Sequence, residues 1–281
     1  MVEKNLLTIC ILEAIEQSTG CLLCYLWSKD ESRHMEHLLT NEVVMDPWFR
    51  EKVVLAKGFC NHHMHLLYRT AREPGVLDGG SFALYMRSVV ESIEDLESLS
   101  HKSLGALAKR RNFGIVTRRR THRELLLKLH KTLTHTVKGE QACPACESLS
   151  ASDTRHLDTL IKMLYDKDFR EEFESSNGLC LPHFLSAIRM VDLGKDKESI
   201  SVAGTLIKVE QVRLHLIAHY LSEFTRKQSW DARDEPHGSE VNANNMALEF
   251  LVGAAGLYCE TTRNHAFELL LPEGKSELHV S

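Results

Sequence analysis

A chain of 281 residues, 43% hydrophobic and 26% charged, has the make-up of a soluble globular protein, long enough for one large or two ordinary domains. The formal net charge of −5 points to no bulk attraction to nucleic acid or membrane, and no stretch reads as a membrane span, so a cytoplasmic location is expected. In that reducing setting the eight cysteines point away from structural disulfides and toward metal or redox chemistry.

In chain order, "MVEKNLLTICILEAIEQSTG" (1–20) reads as an amphipathic helix, its apolar run broken by Glu13 and Glu16. Leu84, Met86, Val89, Val90, Ile93 and Leu96 recur at helical spacing, as do Leu126, Leu129, Leu133 and Val137. Leu206, Val209, Val212, Leu216, Ile217, Tyr220 and Phe224 mark a third helix, and "MALEFLVGAAGLY" (246–258) a fourth. These stripes are expected to be core. Turn signals cluster at 72–81 and 229–240. With little strand alternation, the chain is predicted to be all-α, a helical bundle. Its expected segments are 1–75, a first cysteine–histidine unit with an N-terminal helix; 76–140, connecting helices with a basic stretch; 141–193, a second unit; and 194–281, C-terminal helices.

The two units are an internal repeat. When "CLLCYLWSKDESRHMEHLL" (21–39) is laid over "CPACESLSASDTRHLDTLI" (143–161), Cys21 falls on Cys143, Cys24 on Cys146, Arg33 on Arg155 and His34 on His156. A two-residue length change brings "FRE" (49–51) over "FRE" (169–171), and Gly58, Cys60 and His63 onto Gly178, Cys180 and His183. The grammar is C-x2-C, a spacer, then G-x-C-x2-H, and it uses six of the eight cysteines.

Three thiolates and an imidazole form a set that zinc favours, closed and tetrahedral, and two residues between ligands let one backbone turn aim both at one ion. Two zinc ions are expected. They would sit on duplicate quartets, Cys21, Cys24, Cys60 and His63 in the first unit, and Cys143, Cys146, Cys180 and His183 in the second. Spacing leaves open whether each unit closes its own quartet or the two exchange ligands. Position 62 aligns with Pro182, which cannot ligate, so His63 is chosen over His62. Each ligand pair is placed at a helix N-terminus, where unpaired N–H groups favour thiolate. A Cys3His iron–sulfur cluster is the alternative. Covalent haem is excluded because Tyr25 and Glu147, not His, follow the two CxxC motifs.

The CxxC and GxCxxH motifs, with "DGGSFALYMRSVV" (78–90) after the first copy, resemble an uncharacterised bacterial family of unknown function whose members carry two such units. The stretch "LSEFTRKQSWDARDEPHGSE" (221–240) is similar to that family's C-terminal signature. The resemblance runs from Cys21 to about Gly253. The first motif here, "CLLC", lacks the usual proline, and "VNANN" (241–245) replaces an expected Ser-Trp. The resemblance supports the ligand set and implies no activity.

Other features receive plainer readings. His34 and His156 are read as helix-surface or hydrogen-bonded core histidines rather than partners of the metal ligands. Residues 102–138 hold eleven Lys or Arg, among them Lys109, Arg110, Arg111, Arg118, Arg119, Arg120 and Arg123, against one acid, Glu124. This is a candidate phosphate-binding stripe, with a solvated face or an acidic protein partner as the alternative. His215 and His219 have metal-like i,i+4 spacing but lack a carboxylate-rich partner helix. Cys10 and Cys259 are read as buried small hydrophobes. No phosphate loop, nucleophile elbow or HExxH is present. The expected function is a metal-binding scaffold or binding module with an unknown protein partner. The alternatives are a nucleic-acid-associated factor and a thiol-based redox or metal sensor.

Overall fold

The computed structural model describes residues 5–73, 79–93, 115–139, 141–191, 197–232 and 234–254. Among them the fold is all-α, with no strand. The helices are α1 (Leu6–Gln17), α2 (Leu22–Leu38), α3 (Asn41–Met45), α4 (Pro47–Leu55), α5 (Asn61–Thr70), α6 (Gly80–Glu91), α7 (Ile115–Lys138), α8 (Pro144–Met163), α9 (Lys167–Glu174), α10 (Leu181–Met190), α11 (Lys197–Lys227) and α12 (Ala243–Val252). No single described helix is long and apolar enough to cross a membrane.

Local chemistry sets the helix starts. Asn5 and Thr8 form a reciprocal capping box on α1, satisfying donors that a helix end leaves unpaired. The repeat reuses one device. Asp46 accepts the Trp48 N–H at the start of α4, and its counterpart Asp166 accepts those of Asp168 and Phe169 at α9.

The chain divides into two compact units, the first of them built from two separate stretches of sequence. One comprises the described parts of Met1–Glu31 and Leu149–Glu260; the other lies in Ser32–Ser148. The boundaries fall inside α2 and α8. In the first unit, Ile11, Leu22, Leu23, Leu160, Leu164, Phe173, Leu179, Val202 and Leu206 are fully buried in one cluster. In the second, Met35, Leu38, Val53, Leu67 and Tyr85 are buried. The Tyr85 hydroxyl donates to the Leu38 carbonyl at 2.8 Å, and its ring meets Phe49 and Phe59 edge-on.

Three predicted faces need correction. The buried face of α6 is Ser81, Tyr85 and Val89, and Val90 is exposed; Leu96 lies outside the described residues. Leu126 and Val137 on α7 are exposed. On α11, Leu206, Val209 and Ile217 are buried, while Val212 and Leu216 face outward. On α6 and α11 periodicity located the element and part of its inward side, Val89, Leu206, Val209 and Ile217 being buried, but it also took in outward residues, because apolar residues occur on more than one face.

The glycines of the two GxCxxH motifs share a left-handed backbone, φ +101° at Gly58 and +67° at Gly178, a conformation only glycine adopts without strain. At Gly178 a Cβ would also sit 2.8 Å from Glu210 Oε1 and from Val209 Cγ1. Gly79 has φ +73° with nothing within 4 Å. Gly79→Ala is therefore expected to destabilise by about 1–2 kcal/mol, and Gly178→Ala by roughly 1–3 kcal/mol more from overpacking, measured by denaturant unfolding.

Candidate metal centres

Each helix that carries a ligand pair begins at the pair. Cys60 and Cys180 are the N-cap residues of α5 and α10; Cys21 and Cys143 immediately precede α2 and α8. The Cys21 and Cys143 carbonyls accept the first helical bonds, from Tyr25 and Glu147. This geometry aims each Cys-x2-Cys or Cys-x2-His pair at one point.

The pairs meet across the repeat and not within it. Cys21 and Cys24 lie with Cys180 and His183, and Cys60 and His63 with Cys143 and Cys146, the ligand atoms of each group all within 4.8 Å of one another. Of the two arrangements that spacing left open, the structure has the one in which the two copies exchange pairs. Helices α2 and α8 run 17 and 20 residues away from their cysteines, about 25 and 30 Å, and the CxxH later in each copy lies beside the other copy's CxxC. Each quartet lies wholly within one compact unit.

In the first centre, His183 Nδ1 is 3.3 Å from Cys21 Sγ, 3.6 Å from Cys24 Sγ and 3.2 Å from Cys180 Sγ, and Cys24 and Cys180 are 3.6 Å apart. In the second, His63 Nδ1 is 3.2 Å from Cys60, 3.7 Å from Cys143 and 3.3 Å from Cys146, with Cys60 and Cys146 at 3.8 Å. A tetrahedron with metal–sulfur bonds of about 2.3 Å and metal–nitrogen bonds of about 2.0 Å has edges of about 3.8 Å and 3.5 Å. The observed distances fit it. His62 is not in this quartet; its ring packs against that of His63, centroids 5.0 Å apart.

Mutual repulsion opposes full deprotonation of the thiols in either quartet. Burial would raise the Cys21 thiol, but contacts with Cys180 and Cys24 and the nearby His183 hold it well below its ordinary value. Cys180 is pushed far up by Cys21, Cys24 and burial. Likewise Cys143 is held far down by Cys146 and Cys60, while Cys146 is driven far up by Cys143 and Cys60 and by burial. One thiolate thus forms only by keeping a neighbour protonated, unless a positive ion sits between them.

Two partners escaped the sequence reading. Asp153 Oδ1 lies 3.2 Å from His183 Nε2. In a neutral imidazole, Nε2–H donating to this carboxylate would leave the Nδ1 lone pair facing the thiols. Burial would depress this imidazole, yet Asp153 and Cys21 raise its pKa well above the ordinary value. A signal existed, since the repeat alignment carries an acid at this place in both copies, Glu31 and Asp153. The second partner is Glu210 on α11, which accepts the Leu179 N–H at 2.6 Å and so fixes the turn before Cys180. An acid within the apolar stripe of α11 was its sequence signal.

The remaining candidates are placed as follows. His156 is a buried core histidine 3.0 Å from Asp30. His215 and His219 are exposed, and Cys10 is half-buried against the core. Arg118, Arg119, Arg120 and Arg123 fall on the first half of α7. Lys109, Arg110, Arg111 and Cys259 lie outside the described residues.

The chain belongs to a family of unknown function, DUF6062, whose match covers residues 1–256. No curated protein and no solved structure matches it.

Burial pushes the Glu210 carboxyl up to about 7, against the pull of the Leu179 N–H and Arg213. A raised folded-state value means the stability it contributes is lost as pH rises through 7. Glu210→Gln keeps the acceptor and removes the titration. Its melting temperature relative to the unmodified protein is expected to rise between pH 6 and pH 8, measured by thermal unfolding at a series of pH values.

Proposed function

We propose that this DUF6062 member is a zinc-stapled helical scaffold, each compact unit closed by one Zn²⁺ on three cysteines and a histidine. The observation that carries the reading is the pair of quartets at tetrahedral edge distances. Zinc suits this soft, mixed set and needs no redox change to bind it. Four protein ligands leave no position for water or substrate, so the ions' role is structural. Each ion ties together segments distant in sequence, Cys21 to His183 across 162 residues and Cys60 to Cys146 across 86. Such closures constrain the unfolded chain, and the binding energy becomes folding energy. Thiolate ligands require a reducing compartment, and the cytoplasm is the setting assigned. The scaffold's role is to present helical faces for association.

Elemental analysis of purified protein should find about two zinc equivalents with no visible colour; a brown protein containing iron and sulfide would replace zinc with a cluster. The crossed pairing has its own signature. C21S/C180S alters one centre and should lose about one equivalent, whereas C21S/C60S alters both and should lose about two. The reverse pattern would return the ligands to their own repeats. Chelation should lower helicity, measured by circular dichroism, in proportion to the zinc removed.

A further inference from the structure

Helix α11 (31 residues) is the longest described, and only part of its circumference is used by its own fold. Ser199, Val202, Leu206, Val209, Arg213 and Ile217 are buried. On another side runs a seven-residue repeat, Ile200, Ile207, Leu214 and Leu221. The first three expose 64%, 54% and 44% of their surface, and Leu221 is half-buried. Between them lie Gly204, Gln211 and Ala218, all exposed. The spacing alternates four and three residues, as in a coiled-coil seam. Solvated helix faces ordinarily carry charge. Here the seam itself has none, and its flank of Ser201, Lys208, His215 and Ser222 has one constant charge, Lys208, already held by Glu174 at 2.6 Å.

We propose that this seam is a homodimer interface in which α11 packs antiparallel against α11 of a second copy. Two observations select that occupant. Side-chain size comes first. An antiparallel two-fold through the middle of the helix, between Val212 and Arg213, sets Gly204 against Leu221, Ile207 against Ala218, Gln211 against Leu214 and Ile200 against Thr225. Each layer then joins a large residue to a smaller one, the alternation that interdigitated packing requires. A parallel copy would oppose Gly204 to Gly204 and Ala218 to Ala218, leaving two layers with no large side chain to fill them. At Gly204 the free chain has nothing within 4 Å of a Cβ, the space into which the opposing Leu221 fits.

Area is the second observation. The seam spans 200–225, about 37 Å of helix roughly 10–12 Å wide, or on the order of 400 Å² of footprint per copy. Doubled, to about 800 Å² for the pair, it lies below the standard interface size, so the dimer is a weak and reversible one. The two-fold falls at the centre of Lys197–Lys227, so both helices overlap along their whole length. The inference concerns the surface of the first unit and does not depend on which metal the quartets hold.

The test is sedimentation equilibrium of the full-length, metal-replete protein from about 1 to about 200 μM, a range that brackets micromolar dissociation. The unmodified chain should pass from monomer to dimer. Gly204→Leu meets only open space in the monomer and removes a helix-weakening glycine, so the variant should fold with unchanged circular dichroism. In the dimer it opposes Leu221, and the dissociation constant should rise about tenfold or more. Ile207→Lys and Ala218→Glu should each be monomeric alone, and their mixture should form a one-to-one heterodimer, because only the antiparallel register brings 207 against 218. A chain that stays monomeric throughout, a Gly204→Leu protein that dimerises as well as the original, or a Lys/Glu mixture that fails to associate would each overturn the proposal.

Discussion

Three thiols and an imidazole nitrogen packed within 4.8 Å cannot all adopt their ligating forms unaided. Deprotonating one cysteine keeps its neighbour protonated, as the opposed behaviour of Cys143 and Cys146 records. A divalent cation would remove that conflict by supplying positive charge at the point the thiolates share. The surrounding architecture suits such an ion. Left-handed glycines turn the chain into each CxxH, and the pairs stand at helix N-termini, which favour thiolate. Asp153 lies against His183 Nε2, and Glu210 fixes the turn before Cys180.

The crossing of the two repeats gives the fold its topology. Each CxxC stands at the head of a helix about 25–30 Å long, and the CxxH that comes later in the same copy lies with the other copy's CxxC. Each copy's far end supplies what the other's near end lacks. The first unit is assembled from two distant stretches of chain, and both centres bring together residues far apart in sequence, with a correspondingly large loop entropy to overcome.

The two centres are alike in ligands but not in surroundings. Cys21, Cys24, Cys180 and His183 are all buried, whereas Cys60 is partly exposed. A solvent-accessible thiolate is the one an oxidant or competing metal reaches first. The shielded centre lies in the unit that also carries α11, the outward-facing helix. The exposed faces of α11 explain why hydrophobic periodicity alone misplaced Val212 and Leu216. A helix with apolar residues on its outer side gives a sequence pattern that points in more than one direction.

The linear sequence determined the all-α class, the eight cysteines and histidines that gather into two quartets, with His63 and not His62 among them, and the placement of the pairs at helix starts. Each of these follows from local spacing: two residues between ligands, a glycine before the turn, a proline where no ligand can stand. Tertiary structure decided which pairs meet, that Asp153 and Glu210 support His183 and the Cys180 turn, and which face of α6 and α11 is buried. Those depend on where a rigid helix delivers the chain dozens of residues later, a property of three-dimensional path that residue spacing does not encode.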